Sequence, residues 1–262
     1  MRFAWMLSAL FLAGCGHTAP APRAYALAHG GGPGDLFLVG GGDESPPLYA
    51  EFLKLVGGPD APIVIVPFAG GPAEAASCQQ QFARAGATHV SVLAASDAPT
   101  VLSGAAGLYF VGGYSDHLLA AFAPFKTAAQ SAWASGCVVG GSSAGAMALG
   151  DRTIVDGTSD QALKQGIAGL DVQPGLGLGA GMTIDPHFTQ RQRFDRLYVT
   201  VRATHTLGIG VDEQTAALVH PGGTLECLGA GSVTLMQPDA DGARVELLNP
   251  GDSVPLADWR TH

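Results

Sequence analysis

The chain has 262 residues, 47% hydrophobic and only 13% charged, so it can bury a substantial core, and nothing in its composition points to a disordered, collagen-like or coiled-coil protein. Its 38 glycines imply many tight turns between short elements, which favours a loop-rich α/β domain over a helical bundle. A formal charge of −9 excludes a general nucleic-acid binder, because neutralising phosphates needs a basic surface.

Met1-Arg2-Phe3, an apolar stretch from Ala4 to Ala13, and then Gly14 and Cys15 have the layout of a secretory signal peptide, too short to span a bilayer. Leu12-Ala13-Gly14-Cys15 resembles a bacterial lipobox, which predicts a signal peptide over residues 1–14 and lipidation of Cys15. The expected location follows: secreted across the inner membrane and held by lipid, at the outer membrane in a two-membrane cell. Residues 15–34, rich in Ala, Pro and Gly, read as a flexible tether. Residues 35–262 are expected to form one domain. With Cys15 lipidated, Cys78, Cys137 and Cys227 allow at most one disulfide, and no pair has metal-ligand spacing.

Short apolar runs at 35–40, 62–67, 89–93, 107–111 and 136–140 read as strands buried on both faces. Alanine-rich stretches of helical spacing, 73–85 and 116–134, lie between them and are closed by glycine or Ser-Gly. This alternation predicts βαβ units around a mainly parallel sheet. Strand-like segments at 207–211, 224–228, 232–236 and 243–248 are expected to extend the same layer, partly antiparallel.

Three segments carry the chemistry. Gly141-Ser142-Ser143-Ala144-Gly145 follows an apolar run and precedes helix-compatible residues, the strand–turn–helix context of a nucleophile elbow. In such a turn Ser143 is the nucleophile, Ser142 occupies the variable position, and the backbone NH of Ala144 is placed to bind a developing oxyanion. Gly112-Gly113 reaches the same sheet edge from the preceding strand, and the Gly113 NH is a candidate to complete the oxyanion hole. Asp185-Pro-His-Phe-Thr-Gln-Arg-Gln-Arg-Phe-Asp-Arg196 then sets three arginines within six positions beside a histidine. If the stretch after Pro186 is helical, His187 and Arg191 share a face. A base beside guanidinium groups suits an enzyme that holds a carboxylate while activating a hydroxyl.

Together these segments resemble peptidase family S51, the family of cyanophycinase and dipeptidase E, within the class I glutamine amidotransferase-like fold. The resemblance rests on Gly141 to Gly145, Asp185 to Arg196, Gly112-Gly113 and Gly208-Ile-Gly-Val-Asp-Glu-Gln-Thr-Ala216, and runs from about Asp35 to Leu248. It implies a three-layer α/β/α fold and a serine peptidase without metal or organic cofactor. Ser143 attacks, His187 shuttles the proton, and an acid orients the imidazole; Glu213 is the first choice, with Asp212 and Asp156 behind it. Asp185, Arg191, Arg193, Arg196 and Ser115 are the expected substrate contacts. Two positions depart from the family pattern, Gly113-Tyr114-Ser115-Asp116 in place of Gly-Gly-Asp-Gln, and Pro186 in place of glutamine. Both changes remove side-chain amides. The retained arginines favour a β-aspartyl or other acidic peptide, among them cyanophycin or its fragments. Two other readings compete: a GxSxG esterase using His205 or His220, and a lipoprotein that binds peptides without catalysis. A homodimer is compatible with the sequence.

Overall fold

The computed structural model of the protein describes residues 33–43 and 46–259. The expected signal peptide, Cys15 and all but the end of the expected tether lie outside the described residues. In chain order the elements are β1 (Leu36–Val39), α1 (Pro46–Leu55), β2 (Ile63–Val66), α2 (Pro72–Arg84), β3 (Val90–Val92), β4 (Gly107–Phe110), α3 (Ser115–Phe122), α4 (Lys126–Ala134), β5 (Val138–Ser142) and α5 (Ala144–Ala148). They continue with β6 (Gly150–Asp156), α6 (Ser159–Gln165), β7 (Asp171–Pro174), β8 (Gly179–Pro186), α7 (Phe194–Thr204), β9 (Leu207–Val211), β10 (Thr215–Val219), β11 (Thr224–Gly229), β12 (Val233–Pro238), β13 (Ala243–Leu248) and β14 (Ser253–Pro255). The helix expected over 116–134 is broken into α3 and α4 at Ala123-Pro124-Phe125, because proline supplies no NH to the helical ladder.

The main sheet runs β14-β11-β10-β1-β5-β4-β2-β3, parallel from β1 through β3 and antiparallel from β10 outward. Its strands are apolar on both faces. In β1, Leu36 and Leu38 pack with Leu118, Phe122 and Phe125 on one side, while Phe37 and Val39 pack with Leu48, Phe52 and Phe82 on the other. Helices therefore cover both faces, which is why the runs are continuous rather than alternating.

The C-terminal strands do not all extend that layer. β9, β12 and β13 join a second sheet, β13-β12-β9-β8-β6-β7, while β10, β11 and β14 return to the first. The second sheet buries Ile184, Ile209 and Leu235 against the main core and Met236 against Leu197 and Val201 of α7. Strands β6, β7 and β8 come from a stretch whose glycines and polar residues hide any period-2 pattern.

Register brings the active edges level. Val39 pairs with Ser142 and Phe110 with Gly141, so the turns after β1, β4 and β5 leave at one sheet edge. In the second sheet Pro186 pairs with Val211, which sets the residues after β8 and β9 side by side. The chain crosses from β9 to β10, and so between sheets, through Asp212-Glu213-Gln214.

Candidate active site

Ser143 joins β5 to α5 with φ 51° and ψ −120°, a conformation costly for any residue with a side chain. Its neighbours make the turn sterically feasible. A Cβ at Gly141 would lie 2.7 Å from the carbonyl carbon of Gly145, and one at Gly145 would run into the carbonyl of Phe110. The Ser143 NH donates to the Val39 carbonyl at 3.0 Å, which fixes the elbow on the sheet. Ala144 is the first residue of α5, so its NH is one of the amides a helix start leaves without an intrahelical acceptor. Gly112 and Gly113 follow β4 into the same cleft, and a Cβ at Gly112 would lie 3.3 Å from Cβ of Ser143.

The structure brings Ser143, His187 and Glu213 together. Ser143 Oγ lies 2.7 Å from His187 Nε2, and His187 Nδ1 lies 2.6 Å from Glu213 Oε1. With the Nδ1 proton donated to the carboxylate, Nε2 presents its lone pair to the serine hydroxyl. His187 is 6% exposed, and burial pushes its pKa below the ordinary value. The hydrogen bond that His187 donates to Glu213 works in the opposite direction, and the nearby charges of Arg191 and Arg193 add to the lowering. His187 has φ 49° and donates its NH to the Gly40 carbonyl at 2.9 Å. Glu213 donates its NH to Gln190 Oε1 at 3.1 Å, and the next residue, Gln214, donates to the Gly41 carbonyl at 2.9 Å.

Gly40-Gly41-Gly42 was not among the expected site residues, although three glycines after a buried strand are visible in the sequence. Gly41 has φ 87°, and a Cβ there would lie 2.5 Å from Cε1 and 2.7 Å from Nε2 of His187. We expect Gly41→Ala to displace the imidazole and lower kcat by about 100-fold, the usual scale for a misplacement near 1 Å. Equal kcat for variant and parent in a steady-state assay would refute this.

The other acids serve elsewhere. Asp212 is buried and accepts from the backbone NH and Oγ1 of Thr189 at 3.0 and 2.6 Å, and from the backbone NH and Oγ of Ser232 at 3.1 and 2.8 Å. Burial raises its pKa, but the hydrogen bonds outweigh it and the net shift is downward. Asp212 thus clamps the turn that carries Glu213. Asp156 lies exposed at the end of β6. His220 pairs with Asp35 at 2.8 Å, before the start of β1, whereas Ser143 bonds to the strand's last residue. His205 precedes β9 and lines a separate cavity with His220. Neither histidine is placed to serve Ser143 as the esterase reading requires.

The expected helix from Pro186 onward is absent. Residues 187–192 form turns and α7 begins at Phe194, with Gln192 at φ 53°. Asp185, fully buried, accepts from Arg196 through Nε at 2.8 Å and through Nη2, and from Arg193 Nη1 at 3.2 Å. Arg196 also donates to the Gly157 carbonyl at 2.9 Å, and Arg193 to the Pro186 carbonyl at 2.7 Å. Burial, only partly offset by Asp185, lowers the Arg193 pKa to about 10. These three groups, expected to contact substrate, are engaged with one another beneath the His187 loop. Ser115 is also buried, its hydroxyl directed at Met147 Sδ at 3.8 Å. Arg191 differs: it is exposed and lines the cleft of about 650 Å³ that contains Ser143 and His187.

The sequence profile of Peptidase family S51 matches residues 36–227, a span containing every residue of this arrangement. The chain belongs to that family. It is a serine-type peptidase acting on a peptide substrate. A cyanophycinase of Synechococcus elongatus is 30% identical over 227 residues, covering 80% of this chain and 70% of the relative. A cyanophycinase of Trichormus variabilis is 40% identical over 99 residues, 37% of this chain and 33% of its own. Among solved structures, a peptidase from an acI-B1 Actinobacterium superposes with TM-score 0.67 at 22% identity, over 86% of this chain and 98% of the other. That likeness shows the shared fold.

Proposed function

We propose that this S51 peptidase hydrolyses β-aspartyl or other acidic peptide bonds through an acyl-enzyme on Ser143. The observation that supports it most is the relay Ser143–His187–Glu213, at 2.7 and 2.6 Å. Ser143 Oγ passes its proton to His187 Nε2 and attacks the scissile carbonyl. The oxyanion that forms is met by the backbone NH groups of Ala144 and Gly113. Collapse breaks the amide bond as the imidazolium, balanced by Glu213, gives its proton to the leaving amine. Water activated by the same histidine then releases the acid.

Arg191 stands in the cleft to receive a substrate carboxylate. The relatives named cyanophycinases place cyanophycin and its fragments among the first substrates to assay. The test is release of amino acids from β-aspartyl dipeptides, α-linked acidic dipeptides and cyanophycin, by the protein beside its Ser143→Ala variant. Activity indifferent to Ser143 would rule the reading out.

Arg191 affects both binding and the base. Arg191→Gln should raise KM for an acidic peptide about tenfold, the scale of one charge-assisted hydrogen bond. Removing a positive charge that depresses the His187 pKa should also move the acidic limb of the kcat/KM profile to higher pH. The neutral imidazole is the active form, so the variant loses activity first as pH falls. An unmoved limb with unchanged KM would exclude Arg191 from the site.

A further inference from the structure

The second sheet ends on β13, which among the described residues pairs only with β12. That pairing runs from Val233–Leu248 to Pro238–Ala243 with no bulge to twist the outer edge away, and β13 contains neither lysine nor proline. Its outer backbone groups form a row of donors and acceptors on which another strand can be laid. The two faces of β13 differ. Val245 and Leu247 lie on the side of α7, 44% and 55% exposed, and share a groove of about 240 Å³ with Phe194, itself 43% exposed. Three large apolar side chains gathered at a sheet edge are the pattern of a surface that a partner covers.

Arg244 and Glu246 alternate with them and lie on the opposite face, that of the buried Leu248. Charges on an edge strand are also a common guard against unwanted pairing, so the apolar patch and the edge do not by themselves name an occupant. The order of the charges does. Two identical edge strands pair antiparallel about a two-fold axis perpendicular to the sheet. Residues directly opposite each other must point to the same side, so the axis passes through a residue position and never between two. Placed at Arg244, it sets Arg244 against its own copy, and placed at Glu246 it does the same to the glutamate. Placed at Val245, it sets Arg244 opposite Glu246 of the second copy and, by symmetry, Glu246 opposite Arg244 of the second copy. On the apolar face Val245 then meets Val245, and Leu247 meets Ala243. One register satisfies both faces, and each of its neighbours opposes like charges.

We propose that β13 is a self-pairing edge, through which two copies of this chain join antiparallel about Val245 and make one continuous sheet from their two six-stranded ones. Arg244 and Glu246 cross the axis as two charge pairs, and Val245, Leu247 and Phe194 are withdrawn from water. The Arg244 guanidinium is already held near the edge, 3.3 Å from Glu246 Oε2 of its own strand and 3.8 Å from the centre of the Trp259 ring. The groove at the interface is also lined by Phe188, Thr189 and Gln192, on the outer side of the loop that carries His187, and it shares no lining residue with the cleft of Ser143.

Charge reversal tests the register. Sedimentation velocity of the full chain should show a dimer. Arg244→Glu and Glu246→Arg each replace both cross-axis pairs by like charges and should weaken self-association about tenfold or more. Mixing the two variants in equal amounts should restore it, because every pair across the axis is then one glutamate with one arginine. The contact between these two positions within a strand stays broken in both variants, so a role confined to one chain predicts no restoration. A monomeric parent, single variants that associate like the parent, or a mixture that associates no better than its components overturns the proposal. Where a variant unfolds for want of the Arg244 stack on Trp259, cysteine cross-linking decides instead. Val245 meets itself only in this register, so mild oxidation should cross-link Val245→Cys, and not Leu247→Cys, beyond what the parent's own cysteines give. Equal cross-linking of the two removes the interface.

Discussion

Replacing Ser143 by alanine should lower kcat/KM on the preferred peptide by about 10⁴-fold or more, the loss expected when the nucleophile of an activated triad is removed. Nothing else in the cleft is arranged to replace it. Ser142, the nearest hydroxyl in sequence, is buried at the end of β5 on the strand side of the turn. Of these two serines it is Ser143 that has the positive-φ backbone and whose Oγ lies 2.7 Å from the imidazole. The residual rate should be insensitive to a second change, His187→Ala, because base and nucleophile act as one unit. Fluorophosphonate labelling gives the same answer by a different route, with one adduct on the parent and none on Ser143→Ala. An additive loss in the double variant would mean that His187 acts on something other than Ser143.

Much of this arrangement was legible in the sequence because the chemistry depends on local rules. A serine turn between a buried strand and a helix needs glycine at both flanks, and Gly141 and Gly145 show that need directly. The main-sheet strands were equally visible, since burial on both faces leaves continuous runs such as Ile63–Val66. The second sheet was not. β8 contains Gly179 and Gly181 and ends at Asp185-Pro186, where burial of Asp185 depends on arginines 8 and 11 residues later. No periodicity announces such a strand. The arginines misled for a related reason: spacing suggests a helical face, but the chain spends residues 187–192 in turns. What decides their role is a buried carboxylate that only the folded chain brings to them. Gly41 is the converse case, conspicuous in sequence yet interpretable only once His187 is packed against it.

Asp185→Asn should destabilise the protein by about 3–5 kcal/mol, the range for breaking a buried ion pair by removing one partner. Asparagine keeps the shape but leaves the buried Arg196 guanidinium and the largely buried Arg193 without their anion. For a chain of this size that corresponds to a midpoint lower by about 6–20 °C in a thermal melt. Arg196→Lys should also be destabilising, since an ammonium cannot reproduce the fork that spans both carboxylate oxygens and the Gly157 carbonyl. The catalytic readout separates a supporting role from a substrate-binding one. Asp185 immediately precedes Pro186, whose carbonyl Arg193 holds, and His187 follows. Loosening this network should therefore lower kcat through the position of the base and leave KM little changed. If these residues received the substrate carboxylate, Arg196→Lys would instead raise KM at nearly normal stability. The fully buried Asp185 and the pairing of both guanidiniums with it favour the first outcome, because an arginine already neutralised in the interior has little charge left to offer a ligand. Arg191, the member of the trio that faces the cleft, is then the one whose replacement tests carboxylate recognition.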